Sequence, residues 1–358
     1  MMDVIGIMIK IGIVVGITQG AVAYLILVER KIAAWSQDRI GPNRAGPFAL
    51  FQPLADGAKM MLKEDVIPSY VAKPLYVLAP IIAIIAAMIA FAVVPFGPVG
   101  KTGVNLGTGD VQFQIAPNVD IGILYVFAVG SLGVYAIILA GWASNNKYSF
   151  LGGLRSSAQL ISYEVPLGMS ILGMVLVCRS LDLNTIVNFQ AGHNLAWIPL
   201  IGPYIPAWGI FIQPIGFLLF LISAFAETNR LPFDLPESEQ ELVGGFHTEY
   251  SAMKFGMFFL GEYLHVITVS YLTVVLFLGG WDLPFVTDAS QTGVFWALVK
   301  VGIMLAKVSG MIVFIMWIRW TLPRFRYDTL MDLAWKRLIP LAILNLVATA
   351  AILQAIRG

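Results

Sequence analysis

Charge is scarce in this chain. Only 12% of its 358 residues are Asp, Glu, Lys or Arg, against roughly 25% in a soluble globular domain. The formal net charge is +1 and no basic face dominates, which argues against a nucleic-acid partner. Cysteine is nearly absent. The single Cys178 excludes an internal disulfide and any iron–sulfur cluster held by this chain alone, and it reads as an inert thiol within a membrane. His193 and His247 have no Cys or His at ligand spacing, so no metal is expected. Also missing are a nucleophile elbow, a Ser/His/Asp set in supporting context, a phosphate-cradling glycine loop, a nucleotide fingerprint, internal repeats and low-complexity segments. Redox chemistry by this chain alone is therefore not expected.

What the chain has is apolar sequence. It is 58% hydrophobic with a mean hydropathy of +0.82, the composition of a polytopic membrane protein. About 20 apolar residues cross a hydrocarbon layer of about 30 Å. Eight runs qualify: Val4–Val28, Pro74–Val94, Val119–Trp142, Leu160–Cys178, Trp208–Ala226, Ser251–Gly280, Thr292–Trp320 and Leu338–Ile356. The fourth is the weakest, because Glu164 and Pro166 interrupt its first turns. The first run lacks a basic leader and a small-residue cleavage site, so it reads as a retained span rather than a signal peptide.

The connections set the orientation. Loops one, three, five and seven hold most of the cations, among them Arg30, Lys31, Arg39, Arg44, Lys59, Lys63, Arg155, Arg230, Arg319, Arg324 and Arg326. The opposite side has only Lys101, Arg179 and Arg357 near span ends. The positive-inside rule then places the odd loops in the cytoplasm and both termini outside. The expected architecture is one all-α membrane domain over 1–358, with cytoplasmic loops at 33–73, 227–250 and 321–337. In the first loop, WSQDRIGPNRAGPF has Gly and Pro too closely spaced for helix. Phe51–Lys63 then turns amphipathic, with Phe51, Leu54, Ala58, Met61 and Leu62 on one face and Gln52, Asp56, Lys59 and Lys63 on the other. Such a helix lies in the membrane interface. The connection from Pro95 to Asn118 is expected to hold a short hairpin around VQFQI.

The stretch AETNRLPFDLPESEQELVGGFHTEYSAMKFGMFFLGEY is the chain's most unusual. It carries seven acids (Glu227, Asp234, Glu237, Glu239, Glu241, Glu249 and Glu262) against Arg230 and Lys254, between two long apolar runs. A carboxylate at mid-bilayer costs about 2.5–3.5 kcal/mol, so such acids face protein, water or a partner, or take up protons. Glu262 sits about 16 Å into its span at about 1.5 Å per residue, and His265 shares its face. With Glu164 and Glu227 these groups form a set suited to a proton relay or a charge-sensing site. The competing reading pairs each acid with a neighbouring cation and assigns it only to helix packing. Too few cations lie nearby to neutralise them all. Arg230, three residues beyond Glu227, is the natural local counter-charge.

At the end of the first span, Lys31 is explained as a snorkelling anchor. Arg30, Arg39 and Asp56 bracket the Gly/Pro loop and the interfacial helix. They are better placed at the mouth of an apolar slot for a carbonyl-bearing, long-tailed ligand. Arg319, Arg324 and Arg326, set among aromatics in WIRWTLPRFRYDTLMD, are membrane anchors that also suit docking to a soluble subunit.

Three stretches carry a family likeness: ERKIAAWSQDRIGPNRAGPFALFQPLADGAKMMLKED, the acidic stretch quoted above, and PRFRYDTLMDLAWKRLIPL. They closely resemble the H-subunit family of proton-pumping NADH:quinone oxidoreductase, respiratory complex I, equivalent to the mitochondrial subunit 1. The resemblance covers essentially the whole chain. It implies a non-redox subunit at the heel of an L-shaped complex, lining the tunnel that brings quinone to a terminal iron–sulfur cluster on a neighbouring hydrophilic-arm subunit. It places Arg30, Arg39, Phe51, Asp56, Arg230 and Arg319 at the tunnel, with the Phe51–Lys63 helix at its mouth. It places Glu164, Glu227, Asp234, Glu237, Glu239, Glu241, Glu249 and Glu262 in a relay toward the membrane arm. Quinone is the implied substrate, ubiquinone ahead of menaquinone, with no FMN, iron–sulfur cluster or metal on this chain. The implied partners are the hydrophilic-arm subunits, small membrane-arm subunits, antiporter-like pumping subunits and membrane lipid. The implied location is a bacterial inner membrane with periplasmic termini. Three rival readings are the similar membrane subunit of an ion-translocating hydrogenase, a stand-alone secondary transporter and a purely structural scaffold. The transporter would require broken helices in two symmetry-related halves.

Overall fold

The helix-rich architecture follows from where the apolar runs are broken and by what. The computed structural model describes residues 2–98, 113–117, 119–194, 206–234, 242–284, 286 and 293–357. Among them no strand forms, and the fold is all helical.

The first helix, α1 (Met2–Trp35), runs well past the expected span and carries Glu29 and Arg30 in its last turns. After the Gly/Pro loop comes α2 (Gln52–Leu62), eleven residues with no fully buried side chain. Pro53 stands in its first turn, where a missing N–H costs nothing. The second span is α3 (Lys73–Ile89), continued by one tight turn to Ala92. The third is two pieces, α4 (Gly122–Gly130) and α5 (Leu132–Ala143), joined at Ser131.

The expected weakest span is one of the longest. α6 (Lys147–Cys178) is a continuous 32-residue helix that starts thirteen residues before Leu160. Asn146 caps it by accepting from the Tyr148 amide at 2.9 Å. Pro166 frees only the Ser162 carbonyl. The Ser162 side chain is itself tied to Ala158 O at 2.7 Å and to the Trp335 indole at 3.1 Å. The polar, small-residue opening of α6 packs inside rather than against lipid: a Cβ on Gly152 would come within 2.7 Å of Gly245 Cα.

The fifth expected span is the one that breaks. After the short helix α7 (Leu183–Gly192), the chain forms α8 (Gly209–Ile212) and α9 (Pro214–Glu227), interrupted at Gln213. Pro214 cannot donate to the α8 carbonyls, and Gln213 leaves helical geometry at φ −129° and ψ 61°. The break is paired in place. Gln213 Nε2 donates to Thr349 Oγ1 at 2.9 Å, and Asn345 Nδ2 donates to Gln213 Oε1 at 3.2 Å. At 14 residues, α9 is about 21 Å long and too short to cross alone.

The remaining helices are α10 (Ala252–Phe277), α11 (Val294–Thr321) and α12 (Tyr327–Asp332), the last running through a π-turn at Leu333–Leu338 into α13 (Ile339–Arg357). Among the described residues, seven helices are thus long and apolar enough to cross a membrane. α10 is the central column: 78% of its apolar window is buried, against 17% for α1 and for the last helix. It carries hydroxyls through that interior without leaving them unpaired. Thr268, Ser270 and Thr273 each donate to the carbonyl one turn back, at 3.0, 2.7 and 2.7 Å. The expected hairpin in the 95–118 connection lies mostly outside the described residues.

Candidate functional site

A cavity of about 680 Å³ opens between α1, α2, α10 and α11. Its walls are apolar: Val22, Ile26 and Leu27 from α1, Met60 and Met61 from α2, Phe259 and Leu260 from α10. Glu29, Arg30, Arg39, Gln52, Asp56 and Arg319 line its polar end, and Gln19 adds one polar group about 15 Å back along α1. Arg30 Nη1 donates to Asp56 at 2.7 Å, and Gln52 donates to the other oxygen of the same carboxylate at 2.9 Å. This holds α2 against the end of α1. Glycine opens the gap between α2 and α10, since a Cβ on Gly256 would meet Met60 Sδ at 2.8 Å. An apolar slot with a few convergent polar groups is the usual form of a small-molecule site. Arg30, Arg39, Asp56 and Arg319 therefore line one cavity. Phe51 does not line this cavity. It is largely exposed and lies against Gly46, whose φ of +76° and close ring contact leave no room for a side chain.

Behind the polar end lies a buried charge cluster. Glu29 and Arg230 are 6% and 3% exposed. Arg319 is ion-paired with one Glu29 oxygen, while Tyr263 donates to the other at 2.7 Å. Arg230 stands 3.6 Å from Glu29 and 3.9 Å from Glu262, with its guanidinium 4.2 Å from the centre of the Tyr263 ring. Two carboxylates and two guanidiniums therefore balance in the interior, where an unpaired charge would cost several kcal/mol. Arg230 lies next to the large cavity rather than on its wall. Glu29 is the residue that sequence reasoning missed. Beside Arg30 and Lys31 it looks like part of a span-end anchor, and its partners are hundreds of positions away.

Glu262 leads to a second, smaller cavity of about 60 Å³, room for a few water molecules. Glu164 from α6, Glu227 from the end of α9, and Glu262 and His265 from α10 all line it. The structure thus brings the three membrane acids to one place. Gly130 and Gly133, flanking the α4–α5 joint, form the opposite wall. Gln159 fixes the chain leaving Glu227 by donating to Ala226 O at 2.8 Å and Phe233 O at 2.7 Å.

Two other acids of the expected relay stand elsewhere. Asp234 is buried and meets Arg324 at 3.2 Å. Glu249 accepts from Tyr70 at 2.8 Å and from Asn146 at 2.6 Å, tying three loops together. That hydrogen bond, with the carboxylate's charge, pushes the Tyr70 phenol above its ordinary pKa. Neither acid lines the small cavity. Glu237, Glu239 and Glu241 lie outside the described residues. Among the described residues no group of three or more His, Cys, Asp or Glu is arranged to hold a metal.

Comparison with known proteins decides the family. Residues 9–350 match the family model described as NADH dehydrogenase. The chain belongs to the NADH dehydrogenase family. It is 49% identical, over 89% of its length and 86% of the relative's, to the NADH-quinone oxidoreductase H subunit of Leptospira biflexa. It is 44% identical to the NADH-quinone oxidoreductase H subunit 1 of Solibacter usitatus over 96% of this chain and 95% of that one. The same named subunit of Cytophaga hutchinsonii is 44% identical, over 92% and 91%. With its seven apolar helices among the described residues, this member of the family is a multi-pass membrane protein.

Proposed function

We propose that the chain is a quinone-binding, non-redox membrane subunit of a proton-translocating NADH:quinone oxidoreductase, and that it couples quinone reduction to proton movement. One observation carries this reading. The large apolar cavity and the small acid-lined cavity are joined by an unbroken run of charged contacts, Arg319–Glu29–Arg230–Glu262. A long-tailed quinone fits the first cavity, and titratable acids occupy the second. The relatives named as the H subunit of NADH-quinone oxidoreductase support the same assignment.

In this reading α8 and α9 together make an eighth passage, the odd loops face the cytoplasm, and the termini are periplasmic in a bacterial inner membrane. α2 lies at the bilayer surface and guards the cavity mouth, with Arg30 and Asp56 locking it to α1. Electrons reach the quinone, ubiquinone ahead of menaquinone, from an iron–sulfur cluster on a hydrophilic-arm subunit. Reduction to quinol takes up two electrons and two protons. The electrons arrive ahead of the protons, and the negative charge they place on the quinone oxygens at the polar end shifts the Glu29–Arg230–Glu262 balance until those protons neutralise it. Glu262, Glu227 and Glu164 then change proton occupancy and hand the change to neighbouring pumping subunits.

A photoreactive quinone analogue tests the binding claim. Illuminated with the assembled enzyme, it should label peptides from α1, α2 and α10, and a quinone-site inhibitor should block the labelling. Labelling confined to other subunits would refute it.

A further inference from the structure

Resting on the reading above and going beyond it, we propose that His265 is a working relay residue, exchanging protons with Glu227 through water in the two small cavities that both residues line, the second of which lies beside the acid cavity. That second cavity, of about 20 Å³, lies between α3, α4, α9 and α10, with Val126, Phe220, Thr268 and Leu272 on its walls. Three residues line both it and the acid cavity: Gly130, Glu227 and His265. His265 and Glu227 therefore both stand where the two spaces meet.

The local geometry suits proton transfer better than packing. A Cβ on Gly130 would lie 3.7 Å from His265 Cε1 and 3.9 Å from Glu227 Oε1. The ring and the carboxylate thus flank a single point, left open because residue 130 has no side chain. On the other side of the joint, a Cβ on Gly133 would sit 3.7 Å from His265 Nε2. The His265 ring makes no hydrogen bond to any described residue, whereas His193 meets the Phe189 carbonyl at 3.0 Å. Both ring nitrogens are thus free to work with water, in space of about the size one or two waters need.

The charged and titratable groups around it are Glu164 from α6, Glu227 from α9 and Glu262 on its own helix, with Arg230 beyond Glu262. The α4–α5 joint contributes no ionisable group there, only Gly130, Ser131 and Gly133. Thr268, one turn along α10, spends its proton on Leu264 O at 3.0 Å and faces the second cavity as an acceptor.

The step balances. The Glu227 carboxylic acid gives its proton, through a water in the gap over Gly130, to one ring nitrogen. One O–H breaks and one N–H forms, leaving a carboxylate and an imidazolium. The opposite nitrogen then releases its proton through water to a Glu164 or Glu262 carboxylate in the acid cavity, so one N–H breaks as one O–H forms and the ring returns to neutral as the other tautomer.

The test uses the whole enzyme reconstituted in vesicles, comparing His265→Asn, His265→Gln, Gly130→Ala and Glu227→Gln. Asn and Gln keep polarity but cannot carry the proton. Gly130→Ala changes no titratable group and fills the gap at ordinary contact distance. The expected result is wild-type amounts of assembled enzyme and at least a tenfold loss of coupled turnover in all four. One ionisation should disappear from the turnover–pH profile of the His265 variants and remain in Gly130→Ala. Normal turnover and pumping in the His265 variants, with Glu227→Gln inactive, overturns the role of His265 and leaves the acid relay standing. Lost turnover in His265→Asn with an unchanged pH profile also overturns it, because a packing role explains that result. Normal turnover in Glu227→Gln as well removes both.

Discussion

Tyr263 donates its hydroxyl proton to Glu29 at 2.7 Å, across 234 positions of sequence. The same carboxylate holds Arg319 and faces Arg230. Glu29 therefore links the cavity's polar end to Arg230, which in turn meets Glu262 at the acid cavity.

Glu29→Ala leaves two buried guanidiniums without their shared acceptor. Breaking a buried pair by removing one partner costs about 3–5 kcal/mol. Assembled enzyme in the membrane should fall sharply, and the fraction that assembles should have a raised KM for quinone. Glu29→Asp should restore assembly in part. Blue-native gels with quinone reductase assays read both effects.

Tyr263→Phe removes one hydrogen bond to a charged acceptor but keeps the ring under Arg230. The expected loss is about 1.5–3 kcal/mol. Tyr263→Leu also loses the cation–π contact and should be worse by about 1–2 kcal/mol. Thermal inactivation of quinone reductase activity should rank wild type above Tyr263→Phe above Tyr263→Leu.

Gly256→Val narrows the large cavity where α10 faces Met60. The Met60 side-chain end is flexible and yields, so folding should survive. The quinone KM should rise several-fold with kcat nearly unchanged, the pattern of lost ground-state binding. A fall in kcat with unchanged KM would place quinone elsewhere.

Tyr70 supplies a pH test away from the membrane interior. Its bond to Glu249 raises the phenol pKa, so the protonated form is the one favoured in the fold. The tie is complete below the ordinary phenol value of about 10 and is lost as pH climbs through the raised one. Proteolysis of the loop before Val71 should accelerate only in strong alkali. Tyr70→Phe should be cut faster at neutral pH and show no alkaline step.

Much of this was legible in the chain itself. The apolar runs locate the long helices, and the spacing of Leu54, Ala58, Met61 and Leu62 against Gln52, Asp56 and Lys59 marks α2 nearly to the residue. Glu262 and His265 fall on one helical face, and both reach the acid cavity. Non-local pairing was not legible. The break at Gln213 depends on Asn345 and Thr349, far along the chain, so a count of apolar residues runs straight through it. Pro166 looked like an interruption because local sequence does not reveal the Trp335–Ser162 bond beside it. Asp234 and Glu249 join the relay by family resemblance, and local sequence shows nothing of their contacts: Arg324 and Tyr70, which lie in other loops, meet their carboxylates.

The measurement that bears most directly on the central claim compares proton pumping with quinone reduction in vesicles for Glu164→Gln, Glu227→Gln and Glu262→Gln. All three acids line one cavity. The account predicts normal assembly and normal NADH oxidation by a water-soluble artificial acceptor, with coupled quinone reduction and pumping lowered at least tenfold. Wild-type pumping in all three variants would contradict it.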